Sequence, residues 1–211
     1  MSIRNAQDGV GLIQTAESGL NEIRNMVLRI RELAVQMANG IYEDTPDRDN
    51  AQLEVAALLE QVDLIANNTR FNNVTVIDGT FTTINIQAGN STAETIELSF
   101  VDLAQTGLAI NGANVGTQTS AVVVMGTMDT ALQTIASEQA KFGSLQNRLN
   151  YSISNLSRSS VMTEQALGRI MDADFAVETG NLAKSQILQQ AATAMLAQAN
   201  ASKQTVLTLI R

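Results

Sequence analysis

The sequence predicts a mainly α fold: an elongated coiled-coil-like helical bundle with a small β-hairpin region and a carboxyl-terminal helical arm. Three observations predict it. Only 3% of the 211 residues are aromatic and Trp is absent, so the 45% hydrophobic share comes largely from Ala, Leu, Ile and Val. Such side chains suit helix seams better than a thick globular core, which leans on large aromatics. A single proline, Pro46, leaves nearly the whole chain free of the strongest helix breaker. Long stretches repeat apolar residues at three- and four-residue spacing, the period of one helix face.

The first element is a helix over about 6–38. Ile13, Ala16, Leu20, Ile23, Val27, Ile30, Ala34 and Met37 form an unbroken seam, narrow enough to pack against one or two neighbouring helices. Asn39-Gly40 ends it, both residues tolerating the left-handed conformation of a helix C-cap. After an acidic loop, Thr45-Pro46 starts a second helix, about 48–66, with Val55, Leu58, Val62 and Ile65 on one face. It is short and antiparallel to the first. Over about 70–116 the period turns to alternation. Val74–Ile77 runs into a hairpin-type turn at Asp78-Gly79, and strands at Phe81–Gln87 and Thr95–Phe100 join around Gly89-Asn90. This Asn- and Thr-rich patch is expected to be exposed. A third helix, about 122–165, restores the seam with Met128, Leu132, Ile135, Phe142, Leu145, Leu149, Ile153 and Leu156. The last stretch, 170–211, is rich in Ala and Gln with sparse charge, helical by propensity but weakly apolar on any one face. The expected division is therefore a core of 1–169 and an arm of 170–211.

Charge and composition exclude several functions. The net charge of −8 argues against nucleic-acid binding, which needs clustered Lys and Arg. Arg24, Arg29 and Arg31 are interrupted by Glu22 and Glu32 and read as a solvated, salt-bridged helix face. With no Cys and no His there is no disulfide framework, thiol nucleophile or imidazole base, and structural zinc is excluded. No cofactor and no catalytic residue is expected. Asp172, Asp174 and Glu178 have near-helical spacing that could suggest a hard-metal site, though they fall within the carboxyl-terminal motif whose family resemblance, given below, implies polar, assembly-related positions instead. Asn73-Val74-Thr75 and Asn90-Ser91-Thr92 match the N-glycosylation pattern, which chance explains in so Asn- and Thr-rich a stretch. No apolar run approaches the ~20 residues that span a bilayer, so no membrane partner is expected. The amino terminus lacks the apolar core of a secretory signal.

Three motifs carry a resemblance to a known family. Asn5–Gly40, with RELAVQ at Arg31–Gln36, resembles the amino-terminal conserved region of bacterial flagellins. Arg169–Arg211, including SQILQQAATAMLAQAN, resembles their carboxyl terminus, and TRFNNVTVIDG, Thr69–Gly79, their short β segment. The resemblance spans the chain outside about Thr80 to Ser120. It implies a structural subunit of the flagellar filament, secreted without a cleaved signal by the flagellar type III export apparatus and extracellular. The rod-like core would form the outer tube and the arm the inner tube. Relatives carry a further helical arm ahead of the position of Asn5 and often large outer domains; this sequence is expected to lack both, giving a smooth filament surface. The alternatives are a hook-filament junction protein and a non-flagellar coiled-coil interaction module.

The resemblance also implies partners and sites. The chain's own copies come first, followed by the flagellin export chaperone and the hook-associated junction and cap proteins. Vertebrate innate immune receptors would read Arg29, Leu33 and Glu54; the structural alternative is that Arg29 and Glu54 form an interhelical ion pair and Leu33 packs between subunits. The assembly and chaperone arm would use Leu182, Ile187, Leu188, Met195, Leu196, Leu207, Leu209 and Ile210, the last three resembling the aliphatic end read by cytosolic flagellin sensors. A short apolar helix docking in a groove is the physical mode.

Overall fold

The computed structural model describes residues 1–89, 91–171 and 175–209, with 204–209 described by backbone alone. The elements are α1 (Ser2–Met37), α2 (Asp49–Asn68), β1 (Arg70–Phe71), β2 (Val74–Thr75), β3 (Thr83–Gln87), β4 (Thr95–Ser99), α3 (Gln118–Met171) and α4 (Phe175–Leu209). They fall into two compact units, Met1–Ser159 and Ser160–Arg211.

In the first unit α1 is the central element. All eight seam residues expected from its sequence are buried, joined by Ala6, Leu12 and Leu33. α3 runs antiparallel to it: Arg31, Asn21 and Glu17 of α1 meet Asp129, Gln139 and Gln146 of α3, one number falling as the other rises. The face of α3 toward the core carries Met128, Ile135, Phe142, Leu145 and Leu149, while Leu132, Ile153 and Leu156 are only half-buried. α2 lies antiparallel to α1 on another side. Its buried face is Ala51, Val55, Leu59, Val62 and Ala66, so the expected stripe is rotated and Leu58 and Ile65 sit at its edge. Small Ala51 and Ala66 let α2 approach closely, so alanine contributes to the buried face that the larger apolar residues alone do not define.

The end of α1 differs from expectation for a clear reason. Asn39 and Gly40 do not take the left-handed conformation; Ala38 closes the helix at φ −69°. The carbonyls left open are met instead by Arg48, which is only 3% exposed. Its Nε donates to Met37 O at 2.9 Å, Nη2 to Asn39 O at 2.9 Å, and Nη1 to Tyr42 O at 2.6 Å and Asp44 Oδ1 at 2.7 Å. A guanidinium supplies five donors in a fixed fork, enough to cap a helix and hold the following loop together. Pro46 does not begin α2 as expected. It lies in a wide π-type turn, Asp44–Arg48, with Thr45 extended, and α2 starts at Asp49.

The β region is two separate antiparallel hairpins. β2 pairs back with β1, Phe71 opposite Val74, around Asn72 and Asn73 at φ 47° and 66°. Paired positive φ values are what a two-residue hairpin turn demands, so this turn, rather than Asp78-Gly79, reverses the chain. Asp78 instead accepts from the Thr75 hydroxyl at 2.7 Å and from the Thr80 amide and hydroxyl at 3.1 and 2.6 Å. β3 pairs with β4 in the register Ile84 to Leu98.

The patch is not simply exposed, because Val76, Ile77, Ile96, Leu98 and Phe100 are buried. Phe81 and Phe100 of this region and Phe142 of α3 form a series of tilted ring pairs with centroids 5.9 and 5.7 Å apart. Gly19 of α1 faces Thr69, at the end of α2, and Ile77. A Cβ there would stand 2.6 Å from Thr69 Oγ1 and 2.9 Å from Ile77 Cδ1, so α1 meets this region through its backbone.

In the second unit α4 contains Leu182, Ile187, Leu188, Met195 and Leu196, all exposed. Glu178 is exposed as well. Asp172, Asp174, Asn90, Ile210 and the side chains of Leu207 and Leu209 lie outside the described residues.

Candidate assembly and recognition surfaces

Arg29 and Glu54 are brought together by the α1–α2 pairing. Arg29 Nε donates to Glu54 Oε1 at 2.8 Å and Nη1 to Glu32 Oε2 at 3.3 Å, with both main partners about half exposed. The Glu54 carboxylate, through its hydrogen bond and then its charge, and Glu32 raise the Arg29 pKa above its ordinary value. Water screens such a pair, so it orients side chains more than it stabilises the fold. Leu33 does not join them. It is 4% exposed and lies in the same core as Ile30 and Ala34. The RELAVQ run holds both surface and core positions, and its helical phase puts Leu33 inward.

The arm residues of α4 are spread along several turns of helix with no single strongly apolar face. Leu182 and Met195 differ by thirteen positions in the sequence, a spacing that places several exposed aliphatic side chains over a long stretch rather than at one pocket. A helix of this kind has little to gain by packing on one flat surface and more by being surrounded on several sides.

Sequence reasoning missed two charged side chains. Arg48, the cap of α1, falls at the expected start of the second helix, where its sequence gives no sign of that role. Glu138 is a charged residue within α3, yet it is 3% exposed. Its Oε1 accepts from Lys141 Nζ at 2.5 Å, and its Oε2 has no protein partner. Both break the apolar–polar pattern by only one residue, which periodicity does not flag. Among the described residues there is no group of three or more acidic side chains placed to hold a metal ion, and no helix is long and apolar enough to cross a membrane.

Two family models match the chain: the bacterial flagellin N-terminal helical region over residues 1–82 and the bacterial flagellin C-terminal helical region over 125–210. A flagellin of Halalkalibacterium halodurans is 38% identical over 212 aligned residues, spanning 99% of this chain and 77% of that protein. The chain belongs to the bacterial flagellin family. The flagellar filament 33 kDa core protein of Treponema phagedenis is 36% identical, over 98% of this chain and 78% of that protein. The crystal structure of Bacillus cereus flagellin superposes with a TM-score of 0.65 at 33% identity, covering 72% of this chain and 88% of that one.

Flagellins are structural proteins, and this one is a structural subunit of the extracellular flagellar filament, which self-assembles from copies of its subunit. Its likeness to a named filament core protein favours that role over a junction protein or an unrelated coiled-coil module. The bundle and small β hairpins match the flagellin fold.

Proposed function

We propose that residues 1–169 act as the rod-like structural core of each subunit and residues 170–211 as the arm that lines the inner tube. The observation that supports this division is a contrast in burial. The seam of α1 is satisfied within the chain, from Ile13 to Met37, whereas Leu182, Ile187, Leu188, Met195 and Leu196 of α4 are exposed. Burying a large aliphatic side chain is worth about 1.5–3 kcal/mol, so several of them give copies of the arm reason to pack together. Leu207, Leu209 and Ile210 extend the same role. The protein has no catalytic task in this reading.

The same arm docks in an export chaperone before secretion by the type III apparatus, and the finished filament abuts the junction and cap proteins. Incorporation onto preformed filament seeds tests the assembly role. The Leu188→Ser and Leu196→Ser double variant is expected to stay soluble while the parent chain joins the seeds in sedimentation and electron microscopy. Equal incorporation of both would refute the role of the arm. Calorimetry with the chaperone after deletion of 182–211 tests the docking, and unchanged binding would sink it.

A second reading rests on the Arg29–Glu54 pair, which is exposed on the α1–α2 face. A vertebrate innate immune receptor would read these two side chains, with Leu33 acting from beneath by holding α1 in place. In a cell reporter assay Arg29→Ala and Glu54→Ala should each weaken activation. Unchanged activation by both variants would refute the mapping.

A further inference from the structure

We infer that Asn39-Gly40 is a site of spontaneous covalent ageing, at which the side-chain amide is lost and the main chain is rerouted into an isoaspartyl linkage that Arg48 favours. Both residues are exposed in the loop after α1. Three features of the loop set up the reaction. Gly40 has no side chain to shield its nitrogen, and among the described hydrogen bonds none uses its N–H. The Ile41 N–H donates to Asn39 Oδ1 at 3.3 Å, which folds the carboxamide toward the following peptide and draws electron density from its carbon, as donors aimed at a carbonyl oxygen do. The Asn39 main-chain oxygen is gripped by Arg48 Nη2 at 2.9 Å.

The steps balance without any redox partner. Gly40 N attacks Asn39 Cγ, its proton is relayed through water to the side-chain nitrogen, the bond from Cγ to that nitrogen breaks, and ammonia leaves. The product is a five-membered succinimide. Water then opens the ring at one of its two carbonyls. Attack at Cγ gives aspartate, whereas attack at the main-chain carbonyl carbon breaks its bond to Gly40 N and frees that carbonyl as a carboxylate, the chain now running through Cγ. Arg48 polarises the second carbonyl and would pair with the carboxylate formed there, a charge-assisted bond stronger than the one it replaces. Either product adds a negative charge beside Glu43, Asp44, Asp47 and Asp49.

The chain supplies its own reference in Asn111-Gly112, an exposed pair of the same type with no protein atom within 4 Å of the position a Gly112 Cβ would take and no guanidinium among the described hydrogen bonds at Asn111. The experiment incubates the full chain at mildly alkaline pH and follows both sites by peptide mapping and enzymatic methylation of isoaspartate. Asn39 is expected to yield a higher ratio of isoaspartate to aspartate than Asn111, and Arg48→Lys should bring that ratio down to the Asn111 value. Gly40→Ala should slow loss of the amide at Asn39 by about tenfold, since a poorly placed nucleophile forfeits rate. Its added Cβ would meet only the Gln118 amide at 3.4 Å, so this variant keeps the fold even where Arg48→Lys loosens it. Equal product ratios at the two sites in the parent chain, or Asn39 loss unaffected by Gly40→Ala, would overturn the inference.

Discussion

Arg31 of α1 and Asp129 of α3 meet across the two helices with Nε 2.6 Å from Oδ1 and Nη2 3.5 Å from Oδ2. Further along the same seam Gln139 Nε2 donates to Asn21 Oδ1 at 2.7 Å and Gln146 Nε2 to Glu17 Oε2 at 2.8 Å. These polar pairs flank an apolar interface and select one antiparallel register, as charged flanking positions do in coiled coils. The Asp129 carboxylate, through its hydrogen bond and then its charge, raises the Arg31 pKa. Solvent screens the pair, so its effect is on register more than on stability. Asp129→Ala should leave the thermal midpoint within experimental scatter. A large loss of stability in thermal unfolding would show that the pair carries more of the fold than its exposure allows.

The Arg48 cap is a different matter because it is buried. Arg48→Met keeps much of the aliphatic stem but removes every donor from three carbonyls and Asp44. The expected loss is about 2–4 kcal/mol, the range for charged hydrogen bonds removed from a buried site. Denaturant unfolding measures it. Amide exchange should loosen first at residues 38–48.

Glu138 is expected to respond in the opposite sense. One carboxylate oxygen is tied to Lys141 and the other has no protein partner in a buried position, an arrangement that costs desolvation without full compensation. Glu138→Met fills a similar volume with no polar atom. Unfolding should show it neutral or more stable by about 1–2 kcal/mol. A clear loss would mean that the carboxylate is better satisfied than its protein contacts indicate.

Asp78 gives the first unit a pH dependence. Burial pushes its pKa up, but the hydrogen bonds from Thr80 and Thr75 outweigh this and hold it below the ordinary value. A carboxyl whose folded pKa lies below its unfolded one binds fewer protons when folded, so its contribution is present at neutral pH and above the unfolded pKa, and is lost as pH falls through the folded pKa. The Thr75→Val and Thr80→Val double variant should bring the Asp78 pKa up and flatten that part of the acid stability curve. Carboxyl chemical shifts followed through an acid titration check both.

Much of this molecule was legible in its sequence, and the unevenness has physical causes. The α1 seam was readable because eight residues repeat one period, and a long amphipathic helix offers few alternatives. α2 was readable as a helix but its face was rotated, since Ala51 and Ala66 are buried by close approach rather than by size. The turn at Asn72-Asn73 was hidden because Asp78-Gly79 carries the stronger turn signal and is used for a different local structure. Leu33 belongs to a recognisable motif, yet its burial depends on the phase at which α1 meets its neighbours. Arg48 and Glu138 were invisible in their roles, because a single buried charge leaves no periodic trace. The exposed state of Leu182 to Leu196 is a property of what surrounds α4, and a weakly amphipathic sequence does not announce its neighbours.

In the proposed division, packing of the α1 seam is folding whereas packing of the α4 arm is assembly. Hydrogen–deuterium exchange on the soluble chain and on the same chain incorporated into seeded filaments tests it directly. Amides of Ile13–Met37 should be protected equally in both states, while those of Leu182–Leu196 should exchange rapidly in the soluble chain and slow markedly in the filament. Protection of Leu182–Leu196 in the soluble chain at the level of α1, or no gain on incorporation, would rule out that division.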